Sequence, residues 1–245
     1  YALNGGADID LEDVRSDSVR VDFYDSLDNS AMFWQVKSIQ AFHSVVPGSI
    51  MEFYDSIGVQ RDVASRPDTT HYALRALTSV KYLFDDDHDS EYFAGENNDE
   101  PQMPGWLYYS NANGFNIWEN ENYIPMGFTY DCYITRSEYE KLSEQQRELV
   151  MLKALVIEDG HEERYNGILW PLQREQREFS EAAYDQNCIN RANSACETFV
   201  YTNTDFNAEI NTTDREVVFI SVPYEPEWAA TVNGEAVEIE QVNVE

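Results

Sequence analysis

The chain has 245 residues, 42% of them apolar, and carries 46 acidic against 16 basic side chains for a formal charge of −30. That length and apolar share suffice for one large or two small domains with a packed core, whereas the charge argues against nucleic acid and anionic lipid as direct ligands, because both need a basic patch. No run approaches the roughly 18–20 consecutive apolar residues of a membrane span, and no basic stretch followed by an apolar core opens the chain.

Residues 1–18 are polar and acidic with Gly5-Gly6 and read as a flexible lead-in. Val19, Val21 and Phe23 then alternate with Arg20, Asp22 and Tyr24, the pattern of a half-buried strand, which Asp28-Asn29-Ser30 ends; residues 31–36 read as a second extended segment. Pro47-Gly48 punctuates, Ser49 can cap, and Ile50, Met51, Phe53, Tyr54 and Ile57 give one apolar face to a helix that stops at Gly58. Thr69 or Thr70 can cap a following helix built on Ala73, Leu74, Ala76 and Leu77, and residues 80–84 turn back to strand. Strand, helix, helix, strand in this order predicts a small α/β layer.

Residues 85–105 hold eight acids and no Lys or Arg. A calcium loop of the EF-hand type needs glycine at its sixth position, where Ser90 stands, so an ordinary acidic loop is the better reading. Asn113-Gly114 sits between aromatic strands and predicts a hairpin. Its Trp106, Tyr108, Tyr109 and Trp118 are candidate glycan contacts, since amphipathic rings suit pyranose faces; cross-strand core pairing is the competing role. Residues 120–130, with Pro125, form the exit from this unit.

Past Cys132 the texture changes, which places a unit boundary near residue 131. Thr135-Arg136-Ser137-Glu138 and Ser143-Glu144-Gln145-Gln146 are consecutive capping boxes, each opening a helix, the second running buried to Val156 before Asp159-Gly160. Residues 168–197 are weakly patterned. Cys188 and Cys196 bracket a polar loop of seven residues, and a disulfide there would contribute about 2–3 kcal/mol and suit an oxidising compartment; two reduced thiols are the alternative, with Cys132 a small buried side chain. Short strands follow at 198–201, 206–210 and 217–222, the last stopped by Pro223 and Pro226. Asn233-Gly234 then sets a hairpin in which Val232 faces Glu235, Ala230 faces Val237 and Trp228 faces Ile239, with one face on the core.

Together these elements predict an α+β fold: a flexible lead-in at 1–18, an α/β unit with an aromatic hairpin at 19–130, and at 131–245 a helix pair followed by an antiparallel β-sandwich. No catalytic constellation emerges. His43, His71, His88 and His161 are isolated, His161-Glu162-Glu163 lacks the second histidine of a zinc helix, and no Cys-x-x-Cys, nucleophile elbow, P-loop or Gly-x-Gly-x-x-Gly occurs. The expectation is no catalytic residue, no metal and no cofactor.

Three strings, FISVPYEPEWAATVNGEAVEIEQV at 219–242, ENENYIPMGF at 119–128 and IQAFHSVVPGSIMEFYDSIGV at 39–59, closely resemble the extracytoplasmic C-terminal region of the YfhO family of bacterial multi-spanning membrane proteins. The family is similar to the GT-C class of membrane glycosyltransferases, which use lipid-linked sugars at the outer membrane face to modify cell-envelope polymers. The resemblance implies an extracytoplasmic accessory domain, tethered by and partnered with a membrane-embedded half of the same polypeptide, where the chemistry sits, and facing an envelope glycan or lipid-linked sugar. The chain, starting at Tyr1 without a methionine, reads as an excised piece of such a protein. Tyr224, Glu225 and Glu227, on the proline-bounded loop where the resemblance is strongest, become candidate contacts; a structural corner is their other reading. A free-standing secreted carbohydrate-binding or adhesion module is the alternative function, and a glycoside hydrolase would need two convergent carboxylates that a sequence does not reveal.

Overall fold

Alternation at residues 20–24 produces the first strand, β1 (Arg20–Tyr24), and the chain passes through three short helices, α1 (Ser30–Trp34), α2 (Gly48–Ser56) and α3 (Tyr72–Leu77), before β2 (Val80–Asp86) returns parallel to β1. The structure is a computed structural model that describes residues 9, 11, 13–24, 29–40, 42, 46–61, 64–87, 92–202 and 204–244. The expected hairpin of β3 (Trp106–Ala112) and β4 (Phe115–Asn120) completes a four-stranded sheet in the order β1-β2-β4-β3. Its turn residues Asn113 and Gly114 take φ of 53° and 82°, as the two-residue turn requires.

Both faces of this sheet are covered. Tyr82, Phe84, Phe115 and Ile117 point to one side, where Trp34 of α1 packs edge-on against Phe23, Phe84 and Phe115. Leu83 and Trp118 point to the other, among Phe93, Met103 and Trp106. The stretch at 31–36, expected extended, is therefore a single helical turn. Asn29 and Gln35, at φ of 63° and 56°, pinch it at both ends, and burial of Trp34 outweighs the strand preference of its aromatic residues. Part of the lead-in is packed as well: Ile9, Leu11 and Val14 are buried in the same cluster.

The largest core draws on both sides of residue 131, joining α2 and α3 to buried residues from Ile124 to Cys188 and to Phe219 and Val244. β5 (Phe128–Tyr130) and β6 (Cys132–Thr135) lead into α4 (Arg136–Tyr139) and α5 (Glu144–Met151), then β7 (Leu155–Ile157) and β8 (Trp170–Pro171), which flank β6 in a parallel three-stranded sheet. The capping box at Ser143 and Gln146 is formed as the sequence predicts. The helix ends earlier than expected, however. Leu155, Val156 and Ile157 leave it to pair with β6, where a β-branched run fits better than in a helix. The longest helix, α6 (Glu181–Asn193), lies in the stretch that looked weakly patterned; Ser180 caps it, and Tyr184, Cys188 and Arg191 form its buried stripe.

The remaining strands are β9 (Thr198–Tyr201), β10 (Phe206–Glu209), β11 (Val217–Phe219), β12 (Ala230–Val232) and β13 (Glu235–Val237). The fold is mixed α+β, but among the described residues these strands form two-stranded ribbons, β10-β9, β11-β5 and β12-β13, and not the expected pair of packed sheets. One cause is that β11 is committed to β5, where Phe219 packs on Phe128 and Tyr130. The last hairpin keeps the predicted register, Ala230 opposite Val237 and Val232 opposite Glu235. Its predicted burial does not follow, since Val232 is 57% exposed and Trp228 packs instead against Phe206.

Candidate functional site

The hairpin aromatics do not share one surface. Trp106 and Trp118 are each 1% exposed, whereas Tyr108 and Tyr109 stand 43% and 50% exposed on the edge strand β3. The register shifts between Tyr108 and Ser110, and the two tyrosines lie over opposite faces of the sheet at its edge. Tyr108 meets the edge of Trp118 at 5.6 Å and Tyr109 that of Tyr82 at 6.0 Å. The structure thus brings two of the four residues to solvent and spends the other two on the core.

On the proline-bounded loop, Glu225 and Glu227 are exposed and Tyr224 is half-buried. Trp228 anchors the loop: its indole N–H donates to the Pro223 carbonyl at 3.3 Å, its backbone N–H donates to the Glu225 carbonyl at 3.0 Å, and its ring packs on Phe206, which stacks on Phe199.

All three cysteines are free, so of the two readings for Cys188 and Cys196 the structure has the reduced thiols and not the disulfide. Helix formation carries Cys188 into the core beneath α6, where burial pushes its thiol well up, while Cys196 lies against Gly127 on another element. A Cβ at Gly127, whose φ is +76°, would stand 2.6 Å from the Cys196 Sγ. Burial also pushes Cys132 up, to about 11, and its thiol donates to the Lys153 carbonyl at 3.1 Å.

Of the four histidines, His43 and His88 fall outside the described residues. His71 is not isolated: its Nδ1 pairs with the Glu148 carboxylate from α5, which is almost completely buried. The other Glu148 oxygen accepts the Leu74 backbone N–H at 3.1 Å. Leu74 is the third residue of α3, whose own N-cap provides no side-chain acceptor, so a carboxylate from another helix satisfies one of its orphan donors. Burial pushes the Glu148 carboxyl up against the pull of His71. On His71 burial opposes the charge, but the hydrogen bond and charge of Glu148, with Asp68 adding, carry it upward. The pair titrates as a unit and holds its shared proton to higher pH than a free imidazole would.

One turn along α3, Arg75 donates from Nε to Asp22 Oδ2 at 2.9 Å, both side chains being buried. Its other nitrogens donate to the carbonyls of Pro67, Asp68 and His71. Asp22 Oδ1 accepts the Phe23 N–H at 2.8 Å and the Gln40 amide at 2.6 Å. A second buried cation, Arg191 of α6, donates to the carbonyls of Leu152, Thr129 and Lys153 and to Asp131, with Tyr130 4.9 Å beneath its guanidinium. Sequence reasoning missed these groups. The available signal was a charge at an apolar position: Arg75 inside Ala73-Leu74-Ala76-Leu77, and Glu148 directly before Leu149.

A histidine held by a carboxylate resembles a general base. Here, though, Glu148 is also tied to main chain in the first turn of α3, Arg75 to the carbonyls before that helix, and Arg191 to those of Thr129, Leu152 and Lys153, so these groups work as staples between elements. Among the described residues no group of three or more His, Cys, Asp or Glu is placed to hold a metal ion, and no helix is long and apolar enough to cross a membrane.

These features define an acidic α+β domain whose buried charges serve its packing. The chain belongs to the YfhO family of bacterial membrane proteins, whose family model matches residues 14–197 and 177–245. No curated protein and no solved structure matches it.

Proposed function

We propose that this chain is an extracytoplasmic accessory region of a glycosyltransferase-related YfhO membrane protein, positioning an envelope glycan or lipid-linked sugar beside a membrane-embedded active site without performing the transfer. The observation that carries this reading is the family match over nearly the whole chain. The use of Glu148, Asp22, Arg75 and Arg191 in holding backbone agrees with it, since these buried groups are occupied by packing. The test compares three preparations given a polyprenyl-phosphate-linked hexose and an envelope polymer. Membranes with the whole polypeptide should transfer sugar, the isolated 245-residue chain should not, and membranes whose protein lacks this region should lose transfer. Turnover by the isolated chain, or full transfer without the region, would refute the accessory role.

A further inference from the structure

Beside β8 lies a cleft of about 430 Å³ that none of the predicted contacts lines. Its exposed aromatic member is Trp170, 57% accessible although it belongs to a strand. Tyr133, Pro171 and Leu169 extend the apolar wall, and Glu162, Glu163, Asn166 and Arg215 stand at the rim. The Arg215 guanidinium lies 4.5 Å from the indole centroid. The volume falls in the range of about 300–1,000 Å³ common for small-molecule sites, where apolar walls and a few convergent polar groups are the usual construction.

The surroundings hold this arrangement in place. Trp170 N–H donates to the Asp131 carbonyl at 3.0 Å, and Leu172 N–H donates to the Tyr133 carbonyl at 2.8 Å, which locks β8 onto β6. The 3₁₀ turn Glu162–Tyr165 is pinned from below: Arg164 reaches Glu240 at 2.9 Å, and the Tyr165 hydroxyl donates to the same carboxylate at 2.6 Å. The backbone N–H groups of Ile168 and Leu169 both donate to the Tyr165 carbonyl at 2.9 Å, closing the loop that carries Asn166. Preorganisation of this kind lowers the ordering cost of binding.

We infer that this cleft binds a neutral hexopyranose unit, an inference that rests on the glycan-positioning reading above. The ligand class follows from the wall chemistry. Trp170 and Tyr133 offer ring surface to the C–H face of a pyranose. Each sugar hydroxyl both donates and accepts, and the rim supplies acceptors in Glu162 and Glu163, a donor in Arg215 and both in Asn166. Two carboxylates on a chain of charge −30 repel an anion, and a cation meets Arg215 already on the indole. A neutral sugar, and not an anionic group, is what this surface selects.

The test uses the isolated 245-residue chain with cellotriose, maltotriose, mannotriose and chitotriose as neutral probes and glycerol 3-phosphate as the anionic one, followed by saturation-transfer NMR and tryptophan fluorescence. At least one trisaccharide should bind in the millimolar range. Trp170→Ala should weaken it by about tenfold or more, the loss of a central aromatic contact, and Glu162→Gln/Glu163→Gln should weaken it with the indole intact. Because Trp170 is largely exposed, Trp170→Ala should keep the wild-type circular dichroism and melting temperature, and Tyr201→Ala, an exposed tyrosine outside the cleft, should bind as wild type. Absence of binding by all four trisaccharides, binding equal in Trp170→Ala, or preference for glycerol 3-phosphate would each overturn the assignment. Sugar binding that depends on Trp170 in a protein lacking extracytoplasmic placement leaves the cleft standing and removes the accessory role. The proposed placement without sugar binding does the reverse.

Discussion

Arg75→Met is the substitution that most directly tests whether the buried charges hold the fold. Methionine fills a similar volume but removes the guanidinium, leaving Asp22 at 0% exposure with only the Phe23 N–H and the Gln40 amide. The carbonyls of Pro67, Asp68 and His71 lose their donor in the same step. Removing one partner of a buried pair costs about 3–5 kcal/mol, because the remaining charge stays uncompensated. Of a total stability of about 5–15 kcal/mol, that is a large share. Urea unfolding followed by fluorescence reads it well, since Trp34, Trp106 and Trp118 are all buried reporters. Adding Asp22→Asn should return part of the loss, with a coupling of about 1–3 kcal/mol in the double-mutant cycle. A loss below about 1 kcal/mol, within the range of an exposed ion pair, would mean that the Arg75–Asp22 pair is solvated and that the stapling argument fails.

Further outcomes follow from the same contacts. His71, raised by Glu148 against the effect of burial, has a folded value above its unfolded value of about 6.5. Its contribution is therefore fully present below that pH and is lost as pH rises through the folded value, so the melting temperature should fall on the alkaline side and His71→Gln should flatten that slope. Asp68, lowered by its hydrogen bond from Thr70, and Asp17, lowered by Lys37, contribute with the opposite sign, losing stability as pH falls through their depressed folded values. Gly127→Ala places a methyl group against Cys196 at a left-handed backbone position, costing at least about 1–2 kcal/mol; Cys196→Ala in the same chain should recover the steric part, and thermal melts of the two variants decide it. Trp118→Ala should cost about 3–5 kcal/mol, whereas Tyr109→Ala should cost no more than the roughly 0.5–1.5 kcal/mol of an aromatic pair; similar losses for both would contradict their opposite placement. Cys188 should react with a thiol reagent only on unfolding, and reductant should leave the melting temperature unchanged.

The parts of the fold legible in the sequence were those written in local chemistry. The Asn-Gly turns at 113–114 and 233–234, the capping box at Ser143 and the helix stop at Gly58 all rest on a few adjacent residues. What escaped was decided by tertiary partners. Trp34 made a helical turn out of an apparently extended segment by reaching Phe23, Phe84 and Phe115, and the pairing of β11 with β5, 87 residues apart at Val217 and Tyr130, leaves no local trace. The stripe of Tyr184, Cys188 and Arg191 on α6 was readable at helical spacing, but two of the three are not conventional core residues. The candidate site divides similarly. Aromatic abundance drew attention to Trp106 and Trp118, which the cluster with Leu83, Phe93 and Met103 buries on one face of the sheet, while the solitary Trp170 stays exposed on its two-residue strand.

Sidedness in the native cell tests the central claim most directly. An antibody to this chain, applied to membranes washed in alkaline carbonate and to intact protoplasts treated with protease, reports whether the region is membrane-held and on which face. Retention by the washed membranes, with loss of signal when protease is added outside, is the predicted result. Protection until the membrane is broken, or recovery of the signal as a soluble protein, would contradict the proposed role.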